Sequence, residues 1–297
     1  MERHFEKIYM ITIFTPTYNR ANTIIRTYES LINQTCKDFE WLIVDDGSTD
    51  NTELLVQEWI NNKSISIRYV KQSNGGKYRA YNNGLRLAKG EFFFCVDSDD
   101  WLPTNAIELI LSYAERLRGE DTLAGIIALK LYKDETVIGL PYKKHGISSS
   151  LYDLELSGEG GERSIVFKTS IARMFPFPEE TNEKFLGESV IYDRFHGKYE
   201  FIVSNDALTI CEYQIDGLSS DPRAFMLHNP AGYKLYFAQR IDIAPSFYTR
   251  IGYVLRYHAF RLLYRGSAYD YKGKHKLLVN TLSPLGVFAK LFYTLVK

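Results

Sequence analysis

The sequence has few cysteines, no overall excess of either charge and no long apolar run. Its three cysteines, Cys36, Cys95 and Cys211, are widely spaced and fit no metal-ligand pattern. We therefore predict reduced thiols, as in cytosolic proteins, and no disulfide framework. The opening residues MERHFEKIYM lack the apolar core of a signal peptide, and no stretch approaches the roughly 20 uncharged apolar residues of a membrane span. We expect a cytoplasmic protein that is neither secreted nor transmembrane.

The net charge of zero conceals a gradient along the chain. From Pro222 to the end, twelve Lys or Arg residues accompany only two acids, Asp242 and Asp270, a surplus of ten positive charges. The preceding 221 residues carry the balancing surplus of ten negative charges. A charge asymmetry of this size is typical of a surface that contacts nucleic acid or anionic lipid.

Strand and helix patterns alternate through the first hundred residues. Short apolar, β-branched runs predict buried strands, and apolar residues at helical spacing between them predict amphipathic helices. Strands joined by helices indicate an α/β fold in which a mostly parallel, Rossmann-like sheet has helices on both faces. The predicted strands are Met10 to Phe14, Trp41 to Val44, Ser66 to Val70 and Glu91 to Val96, and helices begin near Ala21, Thr49 and Tyr78.

The pattern continues with a predicted helix from Ala106 to Arg118 and a strand from Leu123 to Leu131. It then weakens. Residues 133–165 are rich in Gly, Ser and Lys, and we interpret them as loops with short strands that form a mobile lid.

Polar motifs follow three of the predicted strands directly. They are TPTYNR after the first strand, DDGS after the second and DSDD after the fourth. Because ligands bind beyond the carboxyl ends of the strands in such sheets, we expect all three motifs to open into one crevice.

The DSDD motif brings Asp97, Asp99 and Asp100 together, where like charges repel unless a cation is bound. Mg²⁺ or Mn²⁺ takes few protein oxygens and leaves positions for substrate phosphates, so a D-x-D turn suits a metal-diphosphate complex. Taken alone, the motif fits a solvated acidic turn before the helix after Pro103 about as well.

The combination of motifs is more specific than any one of them. TPTYNR, VDDGSTDNT, SNGGKYRAYNNGLRLAKGEF and CVDSDDW occur in this order, and together they resemble the nucleotide-sugar-binding half of family 2 glycosyltransferases. The resemblance covers about the first 120 residues densely. It implies the GT-A fold and transfer of a sugar from a nucleoside diphosphate donor, for which UDP is favoured, with inversion at the anomeric carbon.

The resemblance assigns roles on the donor side. Pro16 and Tyr18 would border the nucleobase, and Asp46 would accept hydrogen bonds from it, which favours uracil; the alternative is that Asp46 only shapes a turn with Gly47. Gly75 and Gly76 would let the backbone approach the donor. Lys77 and Arg79 would bring positive charge to the diphosphate, although either also fits a solvated position at a helix start. Three carboxylates would bind the ribose and the metal: Asp97 would hold the ribose or help the metal, Asp99 would be the direct metal ligand, and Asp100 would orient the other two.

The acceptor side needs a general base to take the proton of the attacking hydroxyl. The segment FPFPEETNEKFLGESVIYDRF resembles the acceptor region of the family, in which an acidic pair often follows a small residue. Here Ser189 stands where many members have Asp. We predict Glu188 as the catalytic base, with Asp193, Glu183 and Glu180 as competitors, and an exposed residue at a helix start as the alternative for Glu188.

Processive members of the family carry a Q-x-x-R-W motif and several membrane spans, and this chain has no tryptophan after Trp101. We therefore predict that one sugar is added per encounter. The basic, aromatic tail predicts helices from Ser246 to Tyr264 and from Ser283 onward, either packed on the catalytic domain or lying on an anionic membrane on the inner face of the cell. A membrane-facing tail favours a polyprenyl-linked glycan acceptor, as in cell-surface polysaccharide assembly.

The predicted organisation is a catalytic domain at residues 1–221, with a donor half at 1–120 and an acceptor half at 121–221, followed by a helical extension at 222–297. The loss of the acidic pair at Ser189 leaves open a nucleotide-sugar-binding module without catalysis. A nucleic-acid-binding protein would explain the tail but leaves DSDD and DDGS without a role. We therefore predict no nucleic-acid partner.

Overall fold

The structure is a computed structural model that describes residues 9–212 and 222–295. The chain divides into two compact units. The first comprises Met1–Pro176 and Gly197–Glu212, and the second comprises Phe177–His196 and Tyr213–Lys297. The sequence-based division assigned residues 177–196 to the catalytic domain, whereas they cluster here with the C-terminal helices. Its boundary at residue 221 lies outside the described residues.

The first unit is built on one eight-stranded sheet in the order β3-β2-β1-β4-β7-β5-β8-β6. The pairs β1–β2, β1–β4, β2–β3 and β5–β8 are parallel, and β7 and β6 pair antiparallel to their neighbours. The sheet is therefore mostly parallel, as predicted. The strands are β1 (Ile11–Thr17), β2 (Phe39–Asp45), β3 (Ile67–Lys71), β4 (Phe92–Cys95), β5 (Leu123–Tyr132), β6 (Ser148–Ser149), β7 (Arg163–Lys168) and β8 (Glu200–Cys211).

Seven helices accompany the sheet in the described part of this unit, and the first three connect the parallel strands as the sequence pattern predicts. The core lies between sheet and helices, where Tyr28 stacks on Trp59 with ring centroids 4.3 Å apart and both rings stack on Trp41. Such aromatic pairs contribute about 0.5–1.5 kcal/mol each beyond the burial of their area. The helices are α1 (Ile24–Ile32), α2 (Thr52–Asn62), α3 (Lys77–Leu87), α4 (Ala106–Ser112), α5 (Ala114–Gly119), α6 (Leu151–Leu156) and α7 (Thr169–Ala172).

Strand β1 continues through Pro16 to Thr17, so the prediction that it ends at Phe14 is wrong. The pairing with β4 stops at Phe14, whose carbonyl accepts from Val96, while the pairing with β2 runs on to Thr17. Because successive residues of a strand bond to opposite sides, the nitrogen of Pro16 faces the side that β4 has already left. The missing N–H therefore costs no ladder bond.

The region predicted as loops, residues 133–165, also contains a helix. Ser150 caps α6, its side-chain oxygen accepting from the backbone N–H of Asp153 at 3.1 Å. Strand β7 begins at Arg163 and inserts between β4 and β5, antiparallel to both. Local composition could not predict this pairing, because the paired strands lie many residues apart in the sequence.

The second unit is helical in its described part, and its core includes Phe237, Ile241, Val254, Phe260 and Val279. The predicted helix from Ser246 is α11, and Ser246 caps it, accepting from the N–H of Thr249 at 3.1 Å. A 3₁₀ turn, Ser283–Leu285, leads into the last helix. The helices are α8 (Ser189–Tyr192), α9 (Pro222–His228), α10 (Pro230–Ile243), α11 (Phe247–Tyr264), α12 (Lys276–Leu282) and α13 (Gly286–Leu295).

By length and composition, the segment Lys276–Thr294 is apolar enough to cross a membrane, with a mean hydropathy of 1.2 and 11% of it buried. This differs from the sequence-based expectation that no such segment exists. That expectation rested on uninterrupted apolar residues, and Ser283, Pro284 and Lys290 interrupt this segment.

Candidate functional site

The loops that follow β1 and β2 are tied together at the carboxyl edge of the sheet. Asn19 has a left-handed backbone with φ 51°, which Asn tolerates better than most residues. Its N–H donates to Ser48 Oγ at 2.8 Å, and its side-chain oxygen accepts from the N–H of Thr49 at 2.8 Å. Asn19 is part of the TPTYNR motif but was not predicted to have a role, although a polar residue in a turn between a strand and a helix was the available signal.

Asp46 organises the glycine-rich loop before α3. Its Oδ1 accepts from the N–H of Gly75 and the side-chain amide of Gln72, both at 2.8 Å, and its Oδ2 accepts from the N–H of Gly76 at 2.7 Å. Gly76 has φ +98°, a conformation that residues with side chains rarely adopt. The buried carboxylate thus fixes the course of the Asn-Gly-Gly turn, a role that the sequence analysis did not assign to it.

Tyr18 and Pro16 lie where β1 enters this edge. The ring of Tyr18 is 48% exposed, whereas Pro16 is buried. An exposed aromatic ring beside the ordered loops offers a flat surface to a planar ligand.

Lys77 and Asp97 meet across the edge, since α3 begins at Lys77 and Asp97 follows β4. The Lys77 Nζ lies 2.7 Å from Asp97 Oδ1 and 2.9 Å from Oδ2. Partial loss of solvent around the Asp97 carboxyl opposes its ionisation, but the charges of Lys77, Lys130 and Arg20 outweigh that effect and lower its pKa. Both side chains are more than a third exposed, so the pair is accessible to a ligand.

Arg79 lies two residues after Lys77 in α3. Its guanidinium donates to the carbonyl of Gly75 at 2.7 Å and lies 4.7 Å from the centroid of the Tyr78 ring. In this arrangement it supports the glycine turn from within the helix.

Asp99 and Asp100 lie in different surroundings. Asp99 Oδ2 is 3.8 Å from an Arg20 guanidinium nitrogen, and its side chain is 28% exposed. Asp100 is almost fully buried and accepts from Lys130 Nζ at 3.0 Å. Burial raises the pKa of Asp100 to about 6; the charge of Lys130 opposes that rise, and the charges of Asp97 and Asp99 add to it. Arg20 and Lys130 were missed by the sequence analysis.

The acidic turn fits a hard divalent cation with few protein ligands. Its donors are carboxylate oxygens, which Mg²⁺ and Mn²⁺ prefer. Within residues 9–212 and 222–295 no group of three or more His, Cys, Asp or Glu forms a complete metal cage. A bound cation would therefore take most of its ligands from substrate and water.

A cavity of about 680 Å³ lies beside the acidic turn, between α1, α4 and strands β5 and β8. One wall is Trp101, and the guanidinium of Arg26 lies 4.9 Å from its ring centroid. Arg26 also pairs with Glu212 at 2.5 Å and donates to the carbonyl of Asp99 at 3.4 Å. The cavity is thus coupled to the backbone of the turn.

The candidate bases lie in the second unit and differ in their surroundings. Asp193 is buried against Arg240, with bonds of 2.7 and 3.1 Å to its two oxygens. Glu183 accepts from the N–H groups of Ala231 and Gly232 at 2.8 and 3.0 Å, capping α10. Both acids therefore stabilise the structure of the second unit.

Glu188 and Glu180 are both exposed. Glu188 occupies the position just before α8, and the hydroxyl of Tyr192 donates to its Oε2 at 3.2 Å. The geometry thus agrees with Glu188 as an exposed residue at a helix start and also leaves its carboxylate accessible.

Comparison with known proteins identifies the first half of the chain. Residues 12–157 match the model of glycosyl transferase family 2. Over 106 residues the chain is 40% identical to a chondroitin synthase of Escherichia coli, covering 36% of this chain and 15% of that protein. It is 34% identical over 107 residues to the poly(ribitol-phosphate) β-N-acetylglucosaminyltransferase TarP of Staphylococcus aureus, covering 35% of this chain and 33% of that protein. The matched segment is thus well under two thirds of either relative.

Solved structures extend the likeness of fold to nearly the whole chain. The S. aureus TarS fragment 1–349 in complex with UDP-GlcNAc matches with a TM-score of 0.60 and 19% identity, covering 95% of this chain and 80% of that one. The mannosyltransferase PcManGT from Pyrobaculum calidifontis, in complex with GDP-Man and Mn²⁺, matches with a TM-score of 0.55 and 18% identity, covering 96% and 83%. The GT-A fold and the glycosyltransferase identity predicted from the motifs are confirmed, and the chain carries a family 2 glycosyltransferase domain at residues 12–157.

Proposed function

We propose that this glycosyltransferase moves one sugar per encounter from a UDP-linked donor to a glycan acceptor, with inversion at the anomeric carbon and with Mn²⁺ or Mg²⁺ at Asp99. The observation that carries the proposal is the joining of the loops after β1, β2 and β4 at one edge of the sheet, around an acidic turn with an adjacent lysine. The nucleotide-sugar complexes of TarS and PcManGT, which share the fold, support it.

On the donor side, the ring of Tyr18 stacks on the nucleobase, and Asp46 holds the glycine turn close to the donor. Asp46 Oδ2 accepts one hydrogen bond, from Gly76, and an ionised carboxylate oxygen has room for a second donor such as a uracil N–H. Lys77 brings positive charge to the diphosphate, and Arg79 braces the turn through Gly75. Asp97 orients Lys77 and the ribose, and Asp100 orients the turn through Lys130.

The departing nucleoside diphosphate gains negative charge as the bond to the sugar breaks. A divalent cation held by Asp99 would supply Lewis-acid stabilisation of that charge. The side chain of Lys77 adds a preorganised positive charge on the same edge of the sheet.

On the acceptor side, Glu188 takes the proton of the attacking hydroxyl. The bonds of Asp193 and Glu183 within the second unit argue against those two acids, and the exposed Glu188 and Glu180 remain. Of these, Glu188 is the acid that the family resemblance favours. An accessible carboxylate can be reached by the acceptor hydroxyl, as a general base must be.

The acceptor is a lipid-linked glycan, and the chain attaches peripherally to an anionic membrane surface through its C-terminal helices. Support comes from the ten surplus positive charges after residue 221 and from the exposed apolar side chains of α12 and α13, among them Leu277, Phe288 and Phe292. Basic helices with exposed apolar side chains bind the interface of anionic bilayers. The protein would then act on the cytoplasmic face of the membrane.

The proposal is tested by calorimetric titration with UDP in Mn²⁺ and in EDTA, followed by assays of hydrolysis of UDP- and GDP-sugars. We expect binding and hydrolysis to require the metal and Asp99→Asn to abolish both. Asp121→Asn, which removes an exposed carboxylate elsewhere in the same unit, is the matched control and should behave as the unchanged protein. Metal-independent binding would refute the role of Asp99, and binding without turnover with every donor and acceptor would favour a non-catalytic module.

A further inference from the structure

A basic cavity lies in the second unit, and its lining residues come later in the sequence than the candidate bases. It has a volume of about 570 Å³ and is lined by the cations Arg261, Arg265 and Lys290. His258, Arg261, Leu262 and Arg265 all line it and recur at positions i, i+3, i+4 and i+7, so the end of α11 presents one stripe to the cavity. We refer to this site as the basic cavity.

Among the described residues, no carboxylate pairs with the three cations that line the basic cavity. Its one carboxylate, Asp270, lies 2.6 Å from the fully buried ammonium of Lys234. Lys234 also donates to the carbonyl of Gly266 at 2.9 Å. In the described part of the chain, no carboxylate lies within ion-pair distance of Arg261, Arg265 or Lys290. Converging cations without a counter-ion form a binding site for an anion.

Arg265 occupies an unusual backbone position. It caps α11 with a left-handed conformation, φ 57°, and its N–H donates to the carbonyl of Arg261 at 3.2 Å. Glycine is the usual residue at such a helix end because it has no Cβ penalty. A long cationic side chain stands there instead, on the wall of the basic cavity.

Helix α13 borders the basic cavity and presents an apolar face to solvent. Its inner side packs on α11: a Cβ at Gly286 would lie 2.4 Å from His258 Cβ, and the ring centroid of Tyr293 lies 5.1 Å from that of Phe260. On the helical wheel Lys290 falls between the inner side and the outer side. The outer side, here called the apolar face, consists of Val287, Phe288, Leu291 and Phe292, which are 51, 69, 43 and 64% exposed.

We propose that the basic cavity binds the phosphate headgroup of an anionic phospholipid while the apolar face enters the bilayer interface, an inference that rests on the membrane attachment proposed above. A phospholipid matches both features, because it joins a phosphate to apolar chains. Inorganic phosphate or a soluble nucleotide would match the basic cavity but would leave the apolar face uncovered. Two or more adjacent signals are also what stable attachment to a bilayer requires.

The test is flotation of the full chain with phosphatidylcholine vesicles that contain or lack phosphatidylglycerol. The variant Arg261→Gln with Arg265→Gln and Lys290→Gln should lose about a hundredfold in its affinity for the anionic vesicles, since each basic residue near the surface contributes roughly a factor of five. The control variant, Arg256→Gln with Lys272→Gln and Lys274→Gln, removes the same charge from exposed positions that do not line the basic cavity. It should lose far less.

Equal losses by the two variants would overturn the headgroup site, because overall charge would then explain attachment. Release of the unchanged protein from vesicles by inorganic phosphate, with a phosphate-dependent rise in Tm that the cavity variant lacks, would also overturn it in favour of free phosphate. Phe288→Ser with Phe292→Ser should leave binding that salt reverses; unchanged, salt-resistant binding would contradict insertion of the apolar face. Circular dichroism and thermal unfolding check that each variant is folded.

The same experiment separates this inference from the proposed function. If the unchanged protein fails to float with anionic vesicles, the proposed attachment fails and the headgroup site fails with it. If it floats and the two charge variants fall equally, the attachment stands and only the headgroup site is refuted. Donor hydrolysis on the same preparation reports sugar transfer independently of both results.

Discussion

Acidic side chains serve different purposes in the two units. In the first unit, the pair of Asp97 with Lys77 is more than a third exposed at the edge of the sheet. In the second unit, the pair of Asp193 with Arg240 is only 3 to 4% exposed, and Glu183 is held by backbone N–H groups. The contrast indicates that Asp97 is accessible to a ligand, whereas Asp193 and Glu183 stabilise the packing of the second unit.

The largest expected effect concerns Glu188, an exposed acid of the second unit. We predict that Glu188→Gln lowers sugar transfer by about 10²–10⁴-fold, the usual contribution of a general base, and leaves affinity for UDP unchanged. Transfer rates and calorimetric titration measure the two quantities. Glu180→Gln is the matched control and should retain transfer. Near-normal transfer by the Glu188 variant would move the base elsewhere.

The buried pair of the second unit, Asp193 with Arg240, should contribute mainly to stability. Asp193→Asn removes the partner of a buried guanidinium, and we expect a loss of about 3–5 kcal/mol in the free energy of unfolding. Glu120→Gln breaks an exposed pair with Arg116 and should cost at most about 1 kcal/mol. Urea unfolding of both variants measures the difference. A loss below 1 kcal/mol for Asp193→Asn would contradict a structural role for this pair.

The exposed pair of Lys77 with Asp97 in the first unit should instead affect ligand affinity and leave stability nearly unchanged. Lys77→Met removes a charged hydrogen-bond donor from the donor site, and we expect UDP affinity to fall about 10- to 100-fold with a change in stability within about 1 kcal/mol. Lys71→Met breaks a similarly exposed pair, with Glu53, and should leave the affinity unchanged. Calorimetric titration and urea unfolding of the two variants make the comparison. If the Lys77 variant binds UDP normally, the lysine serves only Asp97.

Much of this contrast could be predicted on the donor side because its signals are local. The runs around Ile13, Ile43 and Phe94 predict strands, and polar residues directly after them mark a shared edge. The positions of the donor-side residues in their loops follow from that pattern. Their contacts with Lys130 on β5 and with Arg20 do not, because periodicity carries no information about which distant side chains meet.

The second unit was harder to predict for the same reason. Asp193 and Glu183 were competitors for the base in sequence, and their partners Arg240 and Ala231 lie more than 45 residues away. The segment 177–196 also contains only one short helix, α8, so nothing local ties it to the later helices. Contacts between residues far apart in the sequence determine which acids are committed to structure and which unit residues 177–196 join. Such contacts are visible only in the folded chain.

The smallest expected effect sharpens the distinction through pH. Burial raises the pKa of Glu183, although its bonds from Ala231 and Gly232 act in the opposite direction. As pH rises above the ordinary glutamate range, the unfolded chain loses this proton before the folded chain does, so stability falls with rising pH until the folded carboxyl is also ionised.

Glu183→Gln should therefore flatten that part of the stability profile, measured as the difference in Tm between the variant and the unchanged protein across the acid range. The exposed Glu180 provides the control, since Glu180→Gln should leave the profile unchanged. A profile of the Glu183 variant that runs parallel to that of the unchanged protein would mean that the carboxyl titrates as it does in water. Glu183 would then belong with the exposed acids, and it would return as a competitor for the base.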